Sequence, residues 1–437
     1  MAATSPQDAA DAHAPLDVQA SLESLADELD ATLAEADQAL RDSYPGERSG
    51  RQPVHTVYVP ADRYSERLVP DWGAAALAAL DADPGGFRAV LGEGDGHGDG
   101  DGEGRLEERV RAKLATEPIE DLRIDFEDGY GDRPDAEEDQ AARTAARALR
   151  GSIDSGAAPP FHGIRFKSFE APTRRRGLRT LAVFLEELAG TGSLPEGFVV
   201  TLPKVTSVEQ VQAMVLAASR LEAALGLAAA TLRFEVQVET PQAVLGPDGT
   251  ALVARMVHAA AGRCTGLHYG TYDYSASCGI AAQYQSMEHP VADYAKAVMQ
   301  VAAAGTGVRL SDGSTNVLPV GEAAAVRAGW ALHYRLVRRS LERGYYQGWD
   351  LHPAQLPTRY AAVFAFYRDG LAQAADRLRR YVERTDSGFL DEPATARALA
   401  DFILRGVDCG AVSPDEAHSL CGVDASGLAV LARRVAG

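Results

Sequence analysis

Short apolar runs rich in β-branched residues alternate along this chain with longer stretches in which Leu, Ala and Val recur every three or four positions. The runs read as buried strands and the longer stretches as amphipathic helices. The first strand is His55–Pro60. From residue 121 the alternation becomes regular, with strands at 121–127, 162–167, 197–202 and 232–239 and helices at 135–150, 174–189 and 207–225. Further strands follow at 264–269, around 306–310 and at 348–351, with helical segments between them. Eight strands, mostly separated by helices, predict an α/β chain folded as a TIM (β/α)8 barrel rather than an open sheet.

The flanks differ from this repeat. Residues 17–43 place Leu22, Leu25, Leu29, Leu33 and Leu40 at helical spacing among acids, which predicts one amphipathic helix suited to the outside of the domain or to another subunit. The tail reads as helices only, with Ser413-Pro-Asp-Glu as a helix start. The predicted organisation is an amino-terminal helical segment (1–50), the barrel (51–370) and a carboxy-terminal helical cap (371–437). Inside the barrel, residues 92–104 alternate Gly with acidic residues. Leu106 and Val110 stand where a calcium loop opening at Asp95 or Asp99 would need its closing Glu, so a flexible insertion is expected instead.

The composition is that of an ordinary globular protein, 46% hydrophobic and 24% charged over 437 residues. Its formal net charge of −19 opposes binding to nucleic-acid phosphates or to an anionic membrane. Residues 1–16 lack a basic segment followed by an apolar run, and no stretch approaches the roughly 20 apolar residues of a membrane span, so a cytoplasmic homo-oligomer is expected. Cys264, Cys278, Cys409 and Cys421 show no Cys-x-x-Cys spacing and read as incidental thiols. Gly-x-Ser-x-Gly, Walker and complete Gly-x-Gly-x-x-Gly motifs are missing, which removes the main support for hydrolase, nucleotidase and dinucleotide readings.

The candidate chemistry lies at strand ends, where such barrels build their active sites. Asp125-Phe-Glu-Asp128, Val238-Glu-Thr-Pro241 and Gly270-Thr-Tyr-Asp-Tyr274 each put carboxylates after or at the end of a strand run. Oxygen-only ligands of this kind suit a hard cation, Mg²⁺ or alternatively Mn²⁺, held by Glu239 and Asp273. Each of the two could instead cap the turn that follows it. Glu127 and Asp128 are expected beside metal-bound waters. Arg165 lies in an apolar strand and needs an anionic partner, either a barrel acid or a substrate carboxylate held in its fork. Lys204 is a candidate substrate-binding cation or, less in keeping with the acids, a Schiff-base amine. His352 closes the last strand as a candidate substrate contact or a structural histidine. Arg174-Arg-Arg176 reads as a solvated face or as a seat for a phosphate or coenzyme A tail.

The order of motifs resembles the HpcH/HpaI aldolase and citrate lyase β-subunit family. The resemblance runs over about residues 52–365, through Tyr58-Val-Pro-Ala-Asp-Arg63, Ile124-Asp-Phe-Glu-Asp128, Ile164-Arg-Phe166, Leu202-Pro-Lys-Val205, Val238-Glu-Thr240 and Leu351-His-Pro-Ala-Gln355. It implies a Mg²⁺-dependent barrel that makes or breaks a carbon–carbon bond beside a carbonyl through an enolate. Glu239 and Asp273 are then the metal ligands, Arg165 the substrate-carboxylate binder, and Glu127 and Asp128 the acids near the metal's waters. Gly163-Ile-Arg-Phe-Lys-Ser departs from the Arg-x-Asn usual in that strand, which leaves the substrate open. Tyr272-Asp-Tyr-Ser275 and Leu390-Asp-Glu-Pro-Ala-Thr-Ala396 resemble malate synthase, with Glu392 where its catalytic aspartate would fall.

The leading expectation is therefore a carbon–carbon lyase acting on a small 2-oxo or 2-hydroxy acid, free or as a coenzyme A thioester. A malate-synthase-like condensation using Glu392 as base is the second. A non-catalytic metabolite-binding subunit is the third.

Overall fold

The computed structural model describes residues 18–92, 103–190, 192–383, 392–432 and 434–435. Two compact units emerge, residues 1–45 and 46–437. In the first, Val18–Ser43 forms one 26-residue helix, as the leucine spacing predicts.

The second unit is the TIM barrel. Its parallel strands are β1 (His55–Pro60), β2 (Asp121–Asp125), β3 (Phe161–Arg165), β4 (Phe198–Leu202), β5 (Arg233–Val238), β6 (Cys264–Tyr269), β7 (Arg309–Ser311) and β8 (Gly348–Asp350). Each of β1–β6 pairs with the next, and β8 returns to pair with β1. Between β7 and β8 the ladder thins to one bridge, Ser311 with Gln347, supported by Asp312 N–H to the Gln347 carbonyl at 2.8 Å and Trp349 N–H to the Gly313 carbonyl at 3.1 Å. Strand boundaries fall within about three residues of the expected ones and the helix expected at 135–150 runs on to Asp154, because the apolar runs and their turn residues are local signals.

Outside the strands, aliphatic and aromatic residues such as Ile124, Ile164, Phe184 and Val200 form a fully buried apolar layer with the surrounding helices. The barrel interior is polar instead. Arg123, 1% exposed, donates to Asp121 and to Thr201 Oγ1 at 3.0 Å and pairs with Glu235 at 2.8 Å. Glu235 continues to His268 Nε2 at 3.1 Å, and His268 Nδ1 accepts from the Trp349 indole at 3.1 Å. Because Nδ1 accepts, neutral His268 carries its proton on Nε2, facing the carboxylate.

Asp350, wholly buried at the end of β8, joins the two ends of the strand sequence. It accepts from His55 Nδ1 at 2.7 Å, from Arg359 Nη2 at 3.0 Å, and contacts His333 Nε2 at 3.0 Å. Burial would raise its carboxyl, but the Arg359 charge and the two histidine hydrogen bonds outweigh this and hold it well below the usual range. His55 Nε2 accepts from Glu120 N–H at 3.1 Å, which places that ring's proton on the Asp350 side.

The carboxy-terminal helices belong to the barrel unit. The expected boundary at 370/371 falls inside a single helix, Leu356–Glu383, which follows β8 almost directly. Its apolar face, including Tyr360, Phe364 and Leu378, joins the core that covers β1, so it cannot be divided there. Ser413 caps the helix Pro414–Cys421 by accepting from Glu416 N–H at 3.2 Å, as the sequence predicts. Residues 93–102 of the Gly/Asp-rich insertion lie outside the described residues, and Glu103 already opens a helix. Among the described residues, no helix is long and apolar enough to cross a membrane.

Replacing Asp350 by Ala strands a buried arginine and two buried histidines. A loss of about 3–5 kcal/mol is expected, the cost of breaking a buried ion pair by removing one partner. Urea denaturation followed by circular dichroism measures it.

Candidate active site

Five strands carry the candidate groups to the carboxyl end of the barrel. Asp125 ends β2, and Glu127 and Asp128 follow in the turn, where Asp125 accepts from Glu127 N–H at 3.0 Å and Gly129 N–H at 2.9 Å. Arg165 ends β3 directly beside Asp125 in register. Lys204 stands two residues after β4, Glu239 one residue after β5, and Asp273 in the helix Thr271–Ser277 that follows β6.

Lys204 is the centre of the cluster. Its ammonium contacts Glu127, lies 2.8 Å from Asp128 Oδ1 and 3.4 Å from Asp273 Oδ2. Its backbone takes φ +49, a left-handed conformation unusual outside glycine. The Lys204 N–H donates to Glu239 Oε1 at 2.8 Å in that conformation, so the strain is matched by a contact that orients the acid. Burial lowers the ammonium's pKa, but the charges of Glu127 and Glu239 outweigh it and raise it far above the ordinary lysine value. The side chain is therefore a fixed cation, which disfavours the Schiff-base reading.

Arg165 finds the partner that its buried position demands in a barrel acid. Its Nε and Nη2 each donate to Asp125 at 2.7 Å, a bidentate fork, and its guanidinium lies 4.8 Å over the Tyr58 ring. The remaining Nη1 is 3.2 Å from Glu127 Oε2, an oxygen that is buried without a hydrogen bond. The fork expected for a substrate carboxylate is thus taken by Asp125, and Arg165 instead holds the acids in place.

Glu239 is 2% exposed. Gln237, two residues earlier on the same face of β5, donates to its Oε2. A Cβ on Gly270 would lie 2.6 Å from that oxygen, so the backbone there approaches the carboxylate as only glycine allows. Burial, followed by the neighbouring charge of Glu127, pushes the Glu239 carboxyl up to about 8. Burial also raises Glu127. Asp128, which burial alone would raise, is lowered by its Lys204 hydrogen bond and by Arg165.

Among the described residues, the cations that Asp125, Glu127, Asp128, Glu239 and Asp273 face are Arg165 and Lys204, so the cluster has more acids than cations. The oxygen donors, a Glu127 Oε2 buried without a hydrogen bond and the raised Glu239 carboxyl all fit a hard divalent cation. Among the described residues, no three acids, histidines or cysteines converge as a ready-made cage. Mg²⁺ does not need one, since it takes one or two carboxylates and completes its shell with water and substrate.

Other expected residues make different contacts. His352 stands two residues after β8, at the same end of the barrel, and caps the short helix Pro353–Gln355, its Nδ1 accepting from Ala354 N–H at 3.1 Å. Glu392 is exposed and adjoins Pro393 of the helix Pro393–Asp408. Ala394 and Arg397 of that helix line a cavity with Gln52, Arg309 and Gly344, at the amino-terminal ends of the strands. Glu392 is thus not brought to the acids, because its helix packs against Leu356–Glu383 rather than folding over the barrel mouth. Of the run Arg174-Arg-Arg176, Arg176 pairs with Asp139 at 2.5 Å and Asp135 at 3.2 Å, and Arg174 donates to the Phe169 carbonyl at 3.0 Å. Asp125, quoted within its motif but given no role of its own, and Gln237, not singled out, are the further residues of the cluster. Period-two parity would have found both, since each shares a strand face with an acid two residues later.

The family model described as Domain of unknown function (DUF6986) matches residues 33–435. No curated protein matches the chain. A citrate lyase from Burkholderia xenovorans LB400 superposes with a TM-score of 0.56 at 17% identity, covering 86% of this chain and 98% of that one. A Haloferax volcanii malate synthase in its magnesium/glyoxylate complex gives 0.47 at 15% identity, covering 89% and 100%. CitE from Mycobacterium tuberculosis with magnesium and acetate gives 0.44 at 18% identity, covering 81% and 98%. At 17% identity the likeness to the citrate lyase is one of fold, and at that level it agrees with the resemblance read from the motifs.

In metal-free protein, Glu239 keeps its proton up to about pH 8, whereas the unfolded chain loses it near 4.5. The native state binds the extra proton in that window, so stability should fall as pH rises from 4.5 to 8. Glu239→Gln should flatten the slope in urea melts taken across this range. An unchanged slope would show that Glu239 is ionised throughout.

Proposed function

We propose that this chain, which belongs to the DUF6986 family, is a metal-dependent carbon–carbon lyase acting on a small 2-oxo or 2-hydroxy acid, free or as a coenzyme A thioester, through an enolate. The observation that carries the reading is the surplus of carboxylates over cations at the barrel mouth, centred on a buried Glu239 with a raised pKa. A scaffold would not benefit from such a cluster, since a carboxyl buried without an ion pair, as Glu239 is among the described residues, costs stability.

In this reading Glu239 and Asp273 hold Mg²⁺, or Mn²⁺ in its place, and Glu127 and Asp128 hold its waters. When bound, the ion supplies stabilisation of the negative charge that develops on the substrate's oxygens. Lys204, permanently protonated, balances the acids and offers hydrogen bonds to an incoming carboxylate. Arg165, fixed by Asp125, keeps Glu127 turned towards the cluster. Tyr272, whose Oη accepts from Asn316 N–H at 2.5 Å, ties the loop after β7 to the helix that carries Asp273.

Incubation with Mg²⁺ and a panel of 2-oxo acids, 2-hydroxy acids and acyl thioesters tests the reading, with cleavage products and exchange of methyl protons of pyruvate in D₂O read by NMR. Absence of both across the panel would refute it. Glu239→Ala and Asp273→Ala should each weaken Mg²⁺ binding by roughly tenfold or more in calorimetry, about 1.4 kcal/mol. Glu392→Gln should leave the rate within about twofold, against the roughly 10²- to 10⁴-fold loss expected of a general base.

A further inference from the structure

At the end of the barrel opposite the acids lies a cavity of about 560 Å³, within the size range of small-molecule sites. Its wall is built from the start of every strand, from Pro53 ahead of β1 to Gln347 ahead of β8. Five arginines reach it: Arg48, Arg51, Arg123, Arg233 and Arg309. Two are neutralised, Arg51 by Glu117 at 2.7 Å and by Glu120, and Arg123 by Asp121 and Glu235. Arg309 donates to the backbone carbonyls of Arg51 at 2.6 Å and Gly50 at 2.9 Å.

Arg48 and Arg233 are different. Both donate to the same acceptor, the Gly262 carbonyl, and Arg48 also donates to the Cys264 carbonyl at 3.0 Å. Among the described residues, no carboxylate forms an ion pair with either. The remaining acid of the wall, Glu196, is exposed, since Asp121 and Glu235 are engaged by Arg123. Two guanidinium groups drawn to one carbonyl repel each other, and with burial that repulsion lowers the Arg48 pKa. Beside them Phe161, Leu194, Pro195 and Phe198 supply an apolar wall.

We propose that this cavity binds a small organic anion, its phosphate or carboxylate head held by Arg48 and Arg233 and its apolar body against Phe161 and Phe198. An oxyanion accepts from two guanidinium forks at once and removes their repulsion, which a carbonyl does only in part. The site lies apart from the acids at the mouth, so the ligand is bound there and not turned over. The assignment does not depend on the lyase reading.

Full-length protein, stripped of metal on a chelating resin in chloride buffer, is titrated calorimetrically with phenyl phosphate and with benzoate, which share a ring and differ in the head group. At least one should bind with a dissociation constant below about 1 mM, and Arg233→Gln or Arg48→Gln should weaken it by roughly tenfold or more. Phenylglyoxal labelling of the wild-type protein, read peptide by peptide, covers the case in which a variant misfolds: the bound anion should protect Arg48 and Arg233. Binding of one probe alone identifies the head group, and binding of both identifies a general oxyanion site. Failure of both probes to bind, or binding that leaves both arginines as reactive as before, would overturn the proposal.

Discussion

Charge removed from water has to be paired where it lies, and the interior of this barrel is organised by that constraint. Each strand turns every second residue inward, and here the inward positions are filled largely by Arg, Asp, Glu, Gln and His. At such sites an unpaired group would cost several kcal/mol, so each charge fixes its neighbours across strands. Arg123 does this between β2, β4 and β5, and on the outer, helix-facing side of the seam Asp350 ties β1 and β8 to the helix Leu356–Glu383. The apolar layer between strands and helices holds the barrel together, while the ion pairs inside it set which strand faces which.

The same constraint, left partly unmet, marks the candidate site. Deeper in the barrel Asp121 and Glu235 share Arg123. In the cluster at the mouth, among the described residues, Arg165 and Lys204 face five acids, and the imbalance shows in a Glu239 carboxyl pushed up to about 8 and in a lysine with a left-handed backbone conformation. Local strain and perturbed protonation at one place are the usual marks of a functional site, because the surrounding fold must stabilise what the site itself destabilises. At the opposite end the imbalance is reversed, with Arg48 and Arg233 lacking acidic partners among the described residues around a preformed cavity. One barrel thus presents an acidic mouth and a basic floor, separated by a paired polar interior.

The strand and helix sequence was legible from the chain alone because it rests on short-range periodicity: the 264–269 run is a strand with those limits, and Ser413 caps its helix as read. The carboxylates at the strand ends were legible too, since the end of an apolar run in a barrel of this kind points to one face. The domain boundary at 370 was not, because nothing within Leu356–Glu383 interrupts the helical pattern and the decision to pack it on β1 is made by distant apolar residues. Nor was the partner of Arg165, which register alone supplies by setting Asp125 beside it.

What the sequence determined by itself was therefore whatever depends on neighbours in the chain: the elements, their order, their caps and the residue types at strand ends. Only the tertiary structure decided which side chains meet. It gave the Arg165 fork to Asp125, set Lys204 among three acids, left Glu392 away from them, and gathered arginines from separate strands and loops around the floor cavity. Those outcomes turn on strand register and barrel closure, which bring together residues tens to hundreds of positions apart, and no local pattern encodes the distance between two such side chains.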